Sequence, residues 1–204
     1  MAASRLDELI NRLPELQICR SSIEQAYDAL HACFKSGGKL LLCGNGGSAS
    51  DADHWAGELL KGFGHKRPLS AEAQRKLPAY LAQNLQGAVP AIPLTGFSAL
   101  TTAFCNDVEP DLVFAQLTLA LGRPGDVLVA LSTSGNAKNV GHALETARAQ
   151  GLITVGLSGS TGGRLRSLCD VCICVPSTET YRVQEYHLPI YHCLSLMLED
   201  AFFG

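Results

Sequence analysis

The sequence predicts an α/β fold: a parallel five-stranded sheet flanked by helices in a Rossmann-like three-layer arrangement, with an N-terminal helical segment. Three observations carry this. Short apolar runs alternate with helical stretches along the chain, as right-handed parallel crossovers require. Two strand-to-helix junctions, Leu41-Leu42-Cys43-Gly44-Asn45-Gly46-Gly47-Ser48 and Val129-Ala130-Leu131-Ser132-Thr133-Ser134-Gly135-Asn136, pass from small apolar residues into glycines and hydroxyls and then into a helical pattern. Two loops of like build in one sheet suggest a phosphorylated small molecule held at its carboxyl edge, because such loops aim backbone N–H groups and hydroxyls at an anion. Finally, 204 residues suffice for one well-buried domain, read as residues 1–204.

The elements follow in order. Leu6, Leu9, Ile10, Leu13 and Leu16 recur at helical spacing, and so do Ile23, Ala26, Tyr27, Leu30 and Phe34. Residues 1–36 therefore read as two helices with Pro14 near their join. Gly37-Gly38 stops the second helix, and Lys39 to Cys43 is the first strand. A helix runs from Ser48 to about Lys61, and Ala91 to Leu94 is a short strand followed by helical patterning through Leu121. Gly125-Asp126 turns into the strand Val127 to Leu131, and Ala137 to Gln150 is helical. Gly151 caps that helix before the strand Leu152 to Leu157. Val171 to Val175 is the last strand, and a helix from about Thr180 to Phe202 closes the chain. The segment 62–90, with Gly64, Pro68, Pro78, Gly87 and Pro90, is too long for an ordinary connection and reads as an insertion or lid. Leu77, Leu81 and Leu85 suggest a short helix over residues 71–85 within it.

Composition narrows the function. Hydrophobic residues make up 47% of the chain and charged residues 17%, which describes a globule with apolar surface to spare for subunit contacts. A net charge of -3 supplies no basic stripe, so nucleic acid is not expected as a partner. The first residues lack a signal-peptide core, and no apolar run approaches the ~20 residues that span a bilayer. The expectation is a soluble cytoplasmic protein without a membrane partner. Eight cysteines are scattered through apolar runs. Cys169 and Cys172 form a CxxC without the second pair that a zinc ribbon needs, and the run Val171-Cys172-Ile173-Cys174-Val175 reads as a buried strand in which cysteine is a small hydrophobe.

His54 and Glu58 lie four residues apart on the helix that the first glycine loop opens. That spacing puts imidazole and carboxylate on one helix face, where they can hold a metal or act as an acid/base couple. The last helix carries His187 and His192, so three of six histidines fall on two candidate site helices. His31, His65 and His142 have no such setting and read as packing or surface residues.

Taken together, Gly44-Asn45-Gly46-Gly47-Ser48, Asp53-His54 with Glu58, Asn106-Asp107, Gly125-Asp126-Val127, Ser132-Thr133-Ser134-Gly135-Asn136 and Arg182-Val183-Gln184-Glu185 with His187 and His192 resemble the phosphoheptose isomerases of the sugar-isomerase (SIS) domain family. The resemblance spans residues 38–200 and the helical N-terminus. It implies a SIS-type fold and a cytoplasmic homotetramer built through the N-terminal helices. It also implies an aldose–ketose isomerase that converts sedoheptulose 7-phosphate to D-glycero-D-manno-heptose 7-phosphate, with one zinc ion or other divalent ion per site. By this resemblance the metal ligands fall on His54, Glu58, Gln184 and His192, and the acid/base pair on Glu58 and His192. Substrate contacts fall on Asn45, Gly46, Gly47, Ser48, Glu58, Asn106, Asp107, Ser132, Thr133, Ser134 and Gln184.

Three departures bear on the sugar. Gly62, beside Lys61, stands where the family usually has an arginine, Ala137 stands where it has a serine, and the segment between Pro68 and Pro90 is longer than expected. Gln184 and His192, eight residues apart, are separated by ~12 Å on a straight helix. Either a kink at Pro189 or ligands from different subunits would bring them to one ion. Two alternatives stand beside the isomerase: a non-catalytic SIS module that binds sugar phosphate or regulates a partner, like the replication-initiator-associating proteins, and an isomerase of another sugar phosphate. The first of these lacks the acid/base residues that this chain keeps at Glu58 and His192.

Overall fold

The computed structural model describes residues 2–204, with side chains from residue 4 onward. Five runs rich in leucine, valine and isoleucine become the strands β1 (Leu40–Gly44), β2 (Ala91–Pro93), β3 (Val127–Leu131), β4 (Ile153–Ser158) and β5 (Val171–Cys174). All are parallel, in the order β2-β1-β3-β4-β5. Every residue of β1 and β3 is buried, as expected for strands covered on both faces. The chain builds outward in opposite directions on either side of the β1/β3 pair, so their carboxyl ends flank the topological switch point where ligands bind in such sheets.

The described residues form ten helices, of which α4 and α5 lie away from the sheet: α1 (Ala2–Arg12), α2 (Arg20–Lys35), α3 (Gly47–Leu60), α4 (Ala71–Lys76), α5 (Ala79–Asn84), α6 (Ser98–Asp107), α7 (Val113–Leu121), α8 (Lys138–Ala149), α9 (Leu165–Leu168) and α10 (Thr180–Phe203). Alternation along each strand sorts the core into two sides. Leu40, Leu42, Val127 and Val129 point into a layer with Leu9, Ile23, Trp55 and Leu194 from α1, α2, α3 and α10. Leu41, Cys43, Leu128 and Ala130 point the other way, onto Leu117, Val140 and Leu144 of α7 and α8. This is the three-layer arrangement that the alternation of elements predicts.

Four local differences from the sequence reading have physical causes. A 3-10 turn, Pro14–Cys19, joins α1 to α2 and buries Leu16 and Cys19, so the second helix starts at Arg20. The expected helical stretch before Leu121 is broken after Asp107: Pro110 lacks an N–H, and Glu109 accepts from the N–H of Asp111 at 3.3 Å. The expected helix over 71–85 is split in two, because Leu77 precedes Pro78 and takes an extended conformation. Strand β5 lies at the sheet edge, so Cys172 and Cys174 are half-buried while Ile173 is fully buried. All eight cysteines are free thiols. No helix is long and apolar enough to cross a membrane among the described residues.

The segment after α3 is anchored by a buried ion pair that its composition did not announce. Glu199 of α10 accepts from the N–H groups of Phe63 (2.8 Å) and Gly64 (2.6 Å) and from Arg67 Nε (2.7 Å). The same guanidinium donates to the carbonyls of Leu59 (2.6 Å) and Glu58 (2.9 Å), the free ends of the last turn of α3, and its face lies over Phe203. Burial pushes the Glu199 carboxyl up, but the N–H groups and the guanidinium outweigh it and hold the pKa below the ordinary range. Because the folded pKa is depressed, the stabilisation is present above the unfolded value and is lost as pH falls through the folded one. Removing one partner of a buried pair costs about 3–5 kcal/mol. Arg67→Met should therefore lower the melting temperature by about 10 °C in calorimetry, and a shift within error would show that the pair contributes little.

Candidate active site

The two glycine and hydroxyl loops lie side by side at the β1/β3 switch point and enclose a cleft of about 360 Å³. Gly46, Ser48, Ser132, Thr133 and Ser134 line it, with Thr180 and Gln184 reaching in from α10. Backbone geometry explains the glycines. Gly46 has φ +56, closed to most side chains, and a Cβ at Gly47 would sit 2.5 Å from Gln184 Nε2. A Cβ at Gly135 would strike the Gly162 carbonyl at 2.0 Å, so the second loop also packs directly on backbone. The loops are joined by a reciprocal amide pair: Asn45 Nδ2 donates to Asn139 Oδ1 and Asn139 Nδ2 to Asn45 Oδ1, both at 2.9 Å.

Helices α3 and α8 both begin at this cleft, just after the small residues Gly46 and Ala137, whose side chains offer no cap. Two helix N-termini opening on one cleft, beside three hydroxyl side chains, suit a phosphate-sized anion.

The second group of residues sits further along α3, which runs parallel to α10: Gly47 meets Gln184, and Trp55 stacks on Tyr191 with centroids 5.5 Å apart. His54 Nε2 lies 3.0 Å from Glu58 Oε1, and His54 Nδ1 lies 2.8 Å from Tyr191 Oη. Tyr191 Oη in turn donates to Asp51 Oδ1 at 3.3 Å. The rings of His54 and His192 stand edge to face at 5.2 Å, and Phe63 covers His192 from the other side at 5.1 Å. Burial, followed by the neighbouring His54, lowers the His192 pKa, with Glu58 partly opposing. Its Nε2 is buried with no partner among the described residues.

The expected site residues therefore fall into separate places. Asn45, Gly46, Gly47, Ser48, Ser132, Thr133, Ser134 and Gln184 meet at the cleft. His54, Glu58 and His192 meet at the middle of the α3–α10 pair. Helix α10 runs continuously through Pro189, so Gln184 stays with the first group. Asn106 and Asp107 lie exposed at the end of α6, bonded to each other at 2.8 Å, and do not line the cleft. His187, on a candidate site helix, is instead buried beside Ser158 and does not join the couple. His31 packs against Phe202, while His65 and His142 sit beside Glu199 and Glu145, as packing and surface roles require.

Sequence reading missed Asp51, Tyr191 and Asn139. Asp51 stands three residues before His54, a spacing that puts them on one face, whereas Tyr191 and Asn139 gave no local signal.

With this geometry in hand, the chain can be compared with known proteins. SIS-domain family models match residues 97–198 and residues 5–86. A phosphoheptose isomerase of Rhodospirillum rubrum is 42% identical over 183 residues, spanning 90% of this chain and 87% of that protein. One from Aneurinibacillus thermoaerophilus is 39% identical over 181 residues, 89% and 82% of the two chains. The solved phosphoheptose isomerase of Neisseria gonorrhoeae superposes with a TM-score of 0.77 at 32% identity, covering 97% of this chain and 96% of that one.

His187 gives this region a pH signature. Neither ring nitrogen meets a partner at hydrogen-bonding geometry, and burial drives its pKa down to about 4, with the Ser158 backbone only partly offsetting it. Between the unfolded value and about 4 the unfolded chain binds a proton that the folded one does not, so stability falls as pH drops through that window. The slope reaches at most about 1.4 kcal/mol per pH unit. Urea midpoints measured across this range should show that slope in the native protein and a flatter profile in His187→Leu.

Proposed function

The chain belongs to the SIS-domain phosphoheptose isomerase family and is a phosphosugar isomerase, and we propose that it converts sedoheptulose 7-phosphate to D-glycero-D-manno-heptose 7-phosphate through a metal-stabilised enediol(ate). One observation carries this reading. The cleft of the two glycine and hydroxyl loops and the His54–Glu58 couple share one helix, α3, and α10 brings His192 alongside that couple.

The phosphate is assigned to Ser132, Thr133 and Ser134 with the leading N–H groups of α8, and Asn45, Gly46, Gly47, Ser48 and Gln184 to the sugar chain beside it. Asn106 and Asp107 are assigned to the same substrate. Isomerisation moves a proton between the carbons bearing the carbonyl and the adjacent hydroxyl. Glu58 takes that proton and returns it to the neighbouring carbon, a role suited to a carboxylate, while Glu58 also contacts the substrate. His192, buried and unpartnered at Nε2 among the described residues, delivers and recovers the proton at oxygen.

A divalent ion is assigned as zinc. His54 Nε2 and Glu58 Oε1, 3.0 Å apart, are the donors that would hold it, and His192, its ring 5.2 Å from that of His54 and its Nε2 without a partner among the described residues, would be the third. Among the described residues no three such side chains are already drawn into a metal cage, and Gln184, the fourth assigned ligand, lies two turns back along α10. When bound, the ion would polarise the carbonyl and hydroxyl oxygens and lower the energy of the enediolate.

A cytoplasmic homotetramer completes the reading. It is supported by the free thiols, by the exposed Ile18 on the N-terminal segment, and by the exposed Val108 next to Asn106 and Asp107. A neighbouring copy would bring those two polar residues and the two halves of the ligand set into register.

Two substitutions test the reading. Thr133→Val should raise KM for the sugar phosphate about tenfold, the loss of one charge-assisted hydrogen bond, with the fold intact by circular dichroism. Unchanged affinity would move the phosphate elsewhere. Glu58→Gln keeps the side chain's shape and should cost about 10²–10⁴-fold in turnover while substrate still binds. Near-normal turnover with the metal content unchanged would show that the base lies elsewhere.

A further inference from the structure

Four consecutive carbonyls of the second loop each accept a hydrogen bond from a residue that does not line the cleft. The Ser132 carbonyl accepts from Gly135 N–H at 3.0 Å, within the loop itself. Those of Thr133 and Gly135 accept from Gly159 N–H and Leu165 N–H, both at 3.0 Å, on the segment that leads from β4 into α9. The Ser134 carbonyl is met instead by a side chain, Asn136 Nδ2, at 3.0 Å. The other end of that amide, Oδ1, accepts from Arg164 N–H at 3.0 Å. A carbonyl can only accept and a backbone N–H can only donate, so these two neighbours settle which way the Asn136 amide faces.

Asn136 acts on the same serine a second time. Its own N–H donates to Ser134 Oγ at 3.2 Å, which leaves the hydroxyl hydrogen for another acceptor. Gly162 and Gly163, at φ +70 and +49, bring the β4–α9 segment against this turn, and a Cβ at Gly163 would strike the Ser134 carbonyl. A loop holds an anion with N–H groups and hydroxyls, and a carbonyl swung in among them would repel it. We propose that Asn136 is a positioning residue: it clasps the Ser134 carbonyl to the β4–α9 segment and so keeps the second loop in the form that takes the substrate's phosphate. The phosphate half of this inference rests on the function proposed above. The clasp rests on the hydrogen bonds alone.

The experiment separates the two. Inorganic phosphate is the probe, its affinity measured by calorimetry beside KM and kcat for sedoheptulose 7-phosphate. Asn136→Ala removes both ends of the clasp. It should bind phosphate about 10-fold more weakly and raise KM by a like factor, with kcat within about twofold and circular dichroism unchanged. Gly163→Ala, in a segment that does not line the cleft, should weaken phosphate in the same sense, because its Cβ displaces the same carbonyl. Hydrogen exchange over residues 159–165, read by mass spectrometry, reports the clasp itself and should quicken in Asn136→Ala. Native exchange in that variant overturns the proposal, and weaker phosphate alongside it would make Asn136 a direct contact. A lower kcat with a native KM marks a structural role only and overturns it too. Faster exchange with native phosphate affinity overturns it where Thr133→Val weakens phosphate. Where Thr133→Val also binds phosphate as the native chain does, the clasp is upheld and the phosphate assignment fails instead.

Discussion

The close parallel contact of α3 with α10 is the constraint on which the rest of the site depends. It is set at its head by an absent side chain: Gly47 leaves room for the Gln184 amide, which any Cβ would displace. With the heads joined, each later turn of one helix meets a fixed turn of the other. Trp55 meets Tyr191 in the middle, and the last carbonyls of α3 meet Arg67, which Glu199 of α10 holds in place. Glu58 thus occupies a turn whose backbone is tied to a buried charge pair, and His192 is brought to it by the stacked pair next door. The proposed acid/base pair, Glu58 and His192, is thus placed largely by the packing of the two helices, with His54 between them.

The polar groups left unsatisfied follow the same seam. Asp51 Oδ2, Trp55 Nε1, His187, His192 Nε2 and Ser195 all lie on α3 or α10 and are buried without partners among the described residues. Off this seam only Gln150 Oε1 and Ser158 Oγ are left so among the described residues, while Thr154 pairs with Asp170, and Asp126 with the N–H groups of Lys39 and Arg123. Orphaned polar atoms are costly, and a fold retains them where they serve a ligand or a proton. Their concentration along one helix pair coincides with the proposed site.

Much of this was legible in the sequence because it depends on short-range pattern. Strand β3 appears over the residues expected, since a run buried on both faces needs only its apolar composition and the Gly125-Asp126 turn before it. The two loops were equally plain, because glycine at a left-handed φ and hydroxyls before a helix are local requirements. What was not legible depends on pairs distant in the chain. Nothing near Arg67 announces that Glu199 will neutralise it, and Tyr191 reads as one more apolar position on a long helix until Asp51 and His54 are placed against it. Proline mattered differently at three sites. Pro78 and Pro110 fall where their neighbours are already extended and end helices, whereas Pro189 lies within α10, which continues through it with His187, Ile190 and Tyr191 buried around it.

The excursion between α3 and β2 leaves and re-enters the domain through a neck one peptide wide. Gly87 donates to the carbonyl of Arg67 at 2.7 Å, Gly62 to the side chain of Gln86 at 2.9 Å, and Val89 to the carbonyl of Leu59 at 3.1 Å. Everything beyond the neck, α4 and α5 included, hangs from a closure already made by residues on either side of it. Its length is thereby uncoupled from the register of the sheet: doubling such a loop adds only about 0.6 kcal/mol of closure entropy. The stretch beyond the neck can therefore lengthen or shorten without moving the strands or the α3–α10 contact.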